Sequence, residues 1–380
     1  MRDRIITNPT IPLKRIYDDI SGNRAEIPSF LQIESACKRV RKDNVPRVPR
    51  NINEVAINGD WVRTWSDDLY LLHIDNAAGV CVFATDDDLR ELARCSVIYV
   101  DGTFQTAPRP YLQFFTIHGK NGSYLLKLAC GLLTNKTHHS YRLVFEAIVA
   151  KLNTMGVVWA PQILVSDFEQ AIITAARQTF PNIRVMGCYF HFCQCVWRHV
   201  QTLGLAGEYN QNPGLKKTMQ ILMALGYLPL SFVGLQFANL RQRRRAMVTP
   251  YPALDQLFDY ISNTWVRPNA LNPPTLWNVH NRPMSWRTNN AGESFNNRWN
   301  AKVGNRRPNL WVFLRILKDE QSAHERTVEN MHNGIPAPRR RAKWRRLEKR
   351  VVTLQSKLQR GNRTLENYWK AITYSIHNVV

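Results

Sequence analysis

Three acidic residues stand where a carboxylate can do chemistry. Asp101 ends the apolar, largely β-branched run Val97-Ile98-Tyr99-Val100 and precedes Gly102. Asp167 ends Ile163-Leu164-Val165-Ser166, and Glu293 opens a helix-like segment after Asn289-Asn290-Ala291-Gly292. In α/β sheets, ligands gather beyond the carboxyl ends of strands. If the strands of Asp101 and Asp167 are neighbours, their carboxylates repel, and a divalent cation relieves the repulsion. Hard oxygen ligands suit Mg²⁺ or Mn²⁺, and a pair of such ions supports in-line displacement at phosphorus. Each acid taken alone also reads as a strand-end, N-cap or first-turn residue. The three together point to a catalytic constellation.

The partner is suggested by charge. The 380 residues hold 51 Lys and Arg against 29 Asp and Glu, a formal net charge of +22. An excess of this size favours a polyanion, here double-stranded DNA. Seven cysteines, an odd number mostly in or beside apolar runs, argue against a disulfide framework and for a reducing compartment. No apolar stretch reaches membrane-spanning length, and the N-terminus lacks a signal-peptide core, so a soluble intracellular protein is expected.

The elements that must hold the acids follow from periodicity. Strands are expected at 70–74, 80–84, 97–104, 111–117, 124–133, 163–165 and 183–186. The turn chemistry of Pro108-Arg109-Pro110 and Lys120-Asn121-Gly122-Ser123 separates three of them. Thr85-Asp86-Asp87-Asp88 reads as a helix start, and 141–152, 170–180, 290–300 and 309–325 as helices. The order is mixed α/β: antiparallel hairpins first, crossover units after. The expected divisions are a basic lead-in over 1–60, a core over 61–204, a mainly helical insertion over 205–285, a core-completing segment over 286–330 and a basic segment over 331–380.

Asp101-Gly102-Thr103-Phe104, Ser166-Asp167-Phe168-Glu169-Gln170-Ala171, Gly187-Cys188-Tyr189-Phe190-His191-Phe192 and Asn289-Asn290-Ala291-Gly292-Glu293 occur in that order. In this the chain resembles the transposases of Mutator-like elements, over roughly residues 60–325, and in particular the branch often carrying an N-terminal FLYWCH-type zinc finger. The resemblance implies an RNase H-like catalytic core interrupted by a helical insertion. It implies that Asp101, Asp167 and Glu293 are the acidic triad of a DDE-type, Mg²⁺-dependent DNA transposase, which cleaves at element ends and transfers the 3′-hydroxyl into target DNA. It also implies a nuclear protein, acting as a dimer or larger assembly because two ends must be held together. A domesticated, non-catalytic DNA-binding transcription regulator is the alternative, and a nuclease of the same fold a third reading. No zinc-finger module precedes residue 60; Cys37 stands alone there.

Cys188 and His191 belong to the resembling motif, near Cys193 and Cys195. Three readings stay open: a structural Zn²⁺, a role of His191 beside the catalytic metals, or core packing, the last being favoured. Candidate DNA contacts are Arg241, Arg243, Arg244 and Arg245, then Arg298, then Arg339, Arg340, Arg341, Lys343, Arg345 and Arg346. The last group also fits a nuclear localisation signal. Most of the eleven Trp are expected in the core.

Overall fold

The computed structural model describes residues 1–7, 11–22, 27–248, 250–304, 307–339 and 341–376. Seven strands form one sheet: β1 (Leu71–Asp75), β2 (Val80–Phe83), β3 (Val97–Thr103), β4 (Gln113–Asn121), β5 (Tyr124–Leu133), β6 (Ile163–Ser166) and β7 (Arg184–Gly187). Their order is β1-β2-β5-β4-β3-β6-β7. Strands β3, β4 and β5 are consecutive antiparallel neighbours. β6 lies parallel to β3 with Tyr99 opposite Val165, and β7 lies parallel to β6. The helices His138–Thr154 and Gln170–Thr179 supply the two crossovers. This is the expected α/β architecture, a mixed seven-stranded sheet accompanied by a mainly helical body.

Strand alternation decides which face the acids use. Ile98 and Val100 join Phe115, Ile117, Val144, Phe145 and Ile148 in one apolar cluster. Val97 and Tyr99 point the other way, with Val165 and Met186. Asp101 continues the Val97–Tyr99 row, since side chains two apart share a face. The helices Asn290–Val303 and Leu310–His332 contribute Phe295, Trp299, Leu310, Trp311 and Phe313 to a third cluster, packed on Phe114 and Leu132 of the sheet.

The strand boundaries fall within one residue of expectation except at β4, both ends of which differ by more. β4 begins at Gln113 because the Tyr111 N–H is taken by the Pro108 carbonyl at 2.8 Å. It runs on to Asn121, opposite Tyr124, so the hairpin turn is only Gly122-Ser123, with Gly122 at φ +56°.

The helical body has its own core. Helices Tyr189–Thr202, Pro213–Ala224, Val233–Arg243 and Ala253–Ile261 bury Phe192, Leu215, Leu222, Val233, Leu257 and Phe258 together. Val351, Leu354, Tyr368, Trp369 and Ile372, from the C-terminal helices Ala342–Gln359 and Leu365–Ile376, lie in the same cluster. The basic C-terminal segment therefore shares a core with the helices around 205–285: its exposed basic cluster lies before and at the start of a helix whose later residues Val351 and Leu354 are packed. At the other end of the chain, Ile5, Leu13, Ile16 and Cys37 make a small cluster among three short helices. No helix among the described residues is long and apolar enough to cross a membrane. Trp265, Trp277, Trp299 and Trp311 are fully buried, a packing role.

Candidate catalytic site

Asp101 lies near the carboxyl end of β3, paired with Thr116 of β4. Its Oδ1 accepts the Gly102 N–H at 2.9 Å, and its carbonyl oxygen accepts the Thr116 hydroxyl at 3.3 Å. Gly102 has no room for a side chain: a Cβ there would stand 1.9 Å from Gln113 Nε2. Burial pushes the Asp101 carboxyl up to about 7, the negative charge of Asp167 adds to the rise, and hydrogen bonds from Gly102 and Asn296 oppose it.

Asp167 follows β6, the parallel neighbour of β3, so the two strand ends stand side by side. Its Oδ1 accepts the Glu169 N–H at 3.1 Å, a local turn that launches the Gln170–Thr179 helix. Next to it, Glu169 accepts a hydrogen bond from Tyr141 at 2.8 Å and pairs with Lys136 at 3.7 Å.

Glu293 comes from the first turn of the Asn290–Val303 helix. Asn289 fastens that helix start to the sheet. Its side-chain amide donates to the Val100 carbonyl at 2.8 Å, and its backbone N–H donates to Cys188 Sγ at 3.1 Å. Gly292 lets the helix touch the strand, since a Cβ there would stand 2.5 Å from Asp101 Cβ and 2.7 Å from its Oδ2. Burial, then the Asp101 charge, push Glu293 up to about 7. Its Oε1 is buried with no hydrogen-bond partner among the described residues, as are Asn289 Oδ1, Asn296 Oδ1 and His191 Nδ1.

Cys188 and His191 enter from the start of the Tyr189–Thr202 helix. Ligand atoms of Cys188, His191 and Glu293 lie within 4.8 Å of one another. His191 Nε2 is 3.6 Å from Glu293 Oε1. Burial pushes the Cys188 thiol up to about 12, although backbone N–H groups oppose this. Burial also lowers the proton affinity of His191, against the pull of Asp167, which keeps the imidazole neutral near pH 7. The structure thus gathers Asp101, Asp167, Glu293, Cys188 and His191 into one place.

Asn289, Gly292 and Asn296 are functional neighbours that residue-by-residue reasoning passes over. Asn289 reads from sequence as a helix cap, yet its side chain makes no cap bond and reaches across to β3 instead. The signal was the unusual run Asn289-Asn290-Ala291-Gly292, whose small and amide-bearing residues suit close approach to a neighbouring strand.

The arginine clusters divide by what they already bind. Arg241 pairs with Asp255 at 2.5 Å and Asp259 at 2.8 Å, and Arg298 with Glu320 at 2.9 Å. These two hold the fold together, and a phosphate would have to displace their carboxylates. Arg243 makes a looser contact with Glu366, 3.5 Å away on the surface, and Arg244 is only half-exposed. Arg245, Arg339, Arg341, Lys343, Arg345 and Arg346 are exposed, whereas Arg340 lies outside the described residues.

Residues 97–195 match the family model described as the MULE transposase domain. No curated protein matches the chain. The matched segment contains Asp101, Asp167, Cys188 and His191, and Glu293 lies beyond it. The match says nothing of the zinc-finger branch. The order of motifs, the mixed sheet that sets two of the acids at adjacent strand ends, and the family match agree, and the chain carries a Mutator-like element transposase domain.

Proposed function

We propose that this protein is a divalent-cation-dependent DNA transposase, with Asp101, Asp167 and Glu293 as its catalytic carboxylates. The observation that carries this reading is the convergence of three acids, from two strand ends and one helix. The Asp167 charge raises the proton affinity of Asp101, the Asp101 charge raises that of Glu293, and Glu293 Oε1 is buried without a hydrogen bond among the described residues. A site that keeps repelling, unsatisfied carboxylates is suited to a metal.

The donor set fits Mg²⁺ or Mn²⁺: Asp101, Asp167 and Glu293 would hold it through oxygen. When bound, such ions lower the pKa of a water or 3′-hydroxyl nucleophile and stabilise the leaving 3′-oxygen. The chain's own residues do the positioning. β3 and β6 fix Asp101 and Asp167 at neighbouring strand ends, so their spacing is set by the sheet. Asn289 and Gly292 clamp the helix start and bring Glu293 to Asp101. His191 stands beside Glu293, its Nε2 3.6 Å from Oε1, and, being neutral, adds no competing charge. Zinc held by Cys188, His191 and Glu293 would take Glu293 from the Mg²⁺ site.

The test is cleavage of DNA carrying the element ends, with Mg²⁺ or Mn²⁺, by the wild type and by Asp101→Asn. The variant should lose strand cleavage by about 10⁴-fold, roughly 5.5 kcal/mol of barrier, while keeping or tightening DNA binding. Labelled 3′-ends should enter a target plasmid, which a simple nuclease would not achieve. A wild type that binds DNA and never cuts it would favour the transposase-derived regulator.

A further inference from the structure

Beside the candidate site runs an open groove of about 1000 Å³, lined in part by Arg50, Phe104, Arg109 and Arg307. We propose that this groove is a DNA-strand subsite, holding the phosphodiester backbone next to the bond that is cut. The proposal rests on the transposase reading and adds where the strand lies.

Position comes first. Phe104 directly follows β3, three residues after Asp101. At about 3.3 Å per residue, this puts the groove wall about 10 Å along the chain from the catalytic carboxylate. Lys136 connects the two. Its ammonium lies 3.8 Å from the centre of the Phe104 ring and 3.7 Å from Glu169, two residues from Asp167.

Charge comes second. The three arginines reach the groove from separate segments: Arg50 after the N-terminal helices, Arg109 in the β3–β4 loop and Arg307 before the Leu310–His332 helix. All three are exposed, the groove lining contains no Asp or Glu, and none of the three has an ion pair among the described residues. Guanidinium groups gathered without counter-charge repel one another, and a polyanion relieves that repulsion. Arg241 and Arg298 differ in this respect, because carboxylates of the fold already hold them.

Rigidity comes third. The Arg307 N–H donates to the Gln105 carbonyl at 3.1 Å, joining two walls. Arg307 sits at φ 55°, a conformation unusual for a residue with a side chain. Thr103 and Thr106 both donate hydroxyl hydrogen bonds to Asn300 Oδ1, at 3.3 and 3.0 Å. Trp311 Nε1 donates to the Arg47 carbonyl at 3.2 Å, drawing in the segment that carries Arg50. Asn300 is on the same helix as Glu293, so these hydrogen bonds tie the groove wall to the candidate catalytic helix. An open, walled, cationic channel with an aromatic side suits an extended strand, read through its phosphates and not its sequence.

The test measures DNA affinity against salt for the full chain and for Arg109→Ala/Arg307→Ala, using fluorescent element-end DNA in Ca²⁺ buffer. The double variant should bind about 10- to 100-fold more weakly at low salt. Its slope of log affinity against log salt should be shallower by about 1.8, two phosphate contacts at about 0.9 each. Arg109→Lys/Arg307→Lys should keep the slope. Arg90→Ala/Lys151→Ala, which removes the same charge on helices away from the groove, should bind with the wild-type slope. Unchanged melting temperatures show that the variants fold. If Arg109→Ala/Arg307→Ala binds with the wild-type slope while the wild type still cuts and Asp101→Asn does not, the groove assignment is overturned alone. If the wild type neither binds nor cuts DNA, the transposase reading falls and takes the groove with it.

Discussion

Two clusters of buried acids in this molecule are built on opposite principles. Between the Leu310–His332 helix and the Thr85–Asp88 helix start, Asp88 accepts hydrogen bonds from His324 Nε2 at 2.8 Å and Gln321 Nε2 at 2.8 Å. Lys127 donates to Gln321 at 3.3 Å and to the Tyr70 hydroxyl at 3.0 Å. Burial works to raise the Asp88 proton affinity, but His324 and Lys127 outweigh it, and the carboxyl stays below the ordinary carboxylate range. At the candidate site, burial raises both Asp101 and Glu293, the Asp167 charge adds to the first and the Asp101 charge to the second, and both rise to about 7. The first cluster is complete with what the chain supplies, and it pins the Leu310–His332 helix to the sheet and to Thr85–Asp88. The second, on the proposed reading, is completed by a cation. A buried acid whose partners are all present is structural; one left beside another acid marks a place for a ligand.

The strongest way to break this contrast is Asp88→Ala. Removing one member of a buried, hydrogen-bonded set leaves His324, Gln321 and Lys127 without it and should cost about 3–5 kcal/mol, read by urea unfolding. Because Asp88 is held below its ordinary value, its contribution is present above pH 4 and is lost as pH falls through its lowered pKa. An acid-unfolding midpoint equal in wild type and variant would remove Asp88 from the structural class.

Gly292→Ala probes the other cluster with a smaller effect. The added methyl meets Asp101 at 2.5 Å, so the helix carrying Glu293 must move outward. Misplacing a catalytic group by a fraction of an ångström to 1 Å should lower cleavage by about 10²-fold, with DNA affinity unchanged. Full activity would mean that the contact between Gly292 and Asp101 does not set the site.

The smallest effect sharpens the comparison most. Saturating Mg²⁺, at about 100 times its dissociation constant, should stabilise the wild type by about 2.7 kcal/mol, read as a rise in melting temperature. Asp101→Asn should melt higher than the wild type without metal, since a repelling charge is gone, and should gain little from Mg²⁺. An equal Mg²⁺ shift in both proteins would place the ion elsewhere.

Much of this was legible along the chain. The run Val97-Ile98-Tyr99-Val100 is apolar on both faces because β3 is an interior strand, between β4 and β6. Gly122-Ser123 turns where turn residues are expected. Other features were hidden because they depend on what packs across the fold. Arg241 reads as one more basic residue in Arg241-Gln242-Arg243-Arg244-Arg245, but the Ala253–Ile261 helix presents Asp255 and Asp259 to it. The C-terminal helices look like a charged tail, because eight of the twelve residues 339–350 are basic. Val351, Leu354 and Tyr368, spaced for one helical face each, are what bind them into the helical core.

Local sequence by itself determined the order of strands and helices, the apolar runs that end in Asp101 and Asp167, and the excess of positive charge. These follow from periodicity and composition, which act over a few residues. Only the tertiary structure brought Glu293 to Asp101, set His191 beside it and assembled Arg50, Arg109 and Arg307 into one groove. Those meetings join residues far apart along the chain, and they depend on a helix that can approach β3 because Gly292 leaves no Cβ in the way.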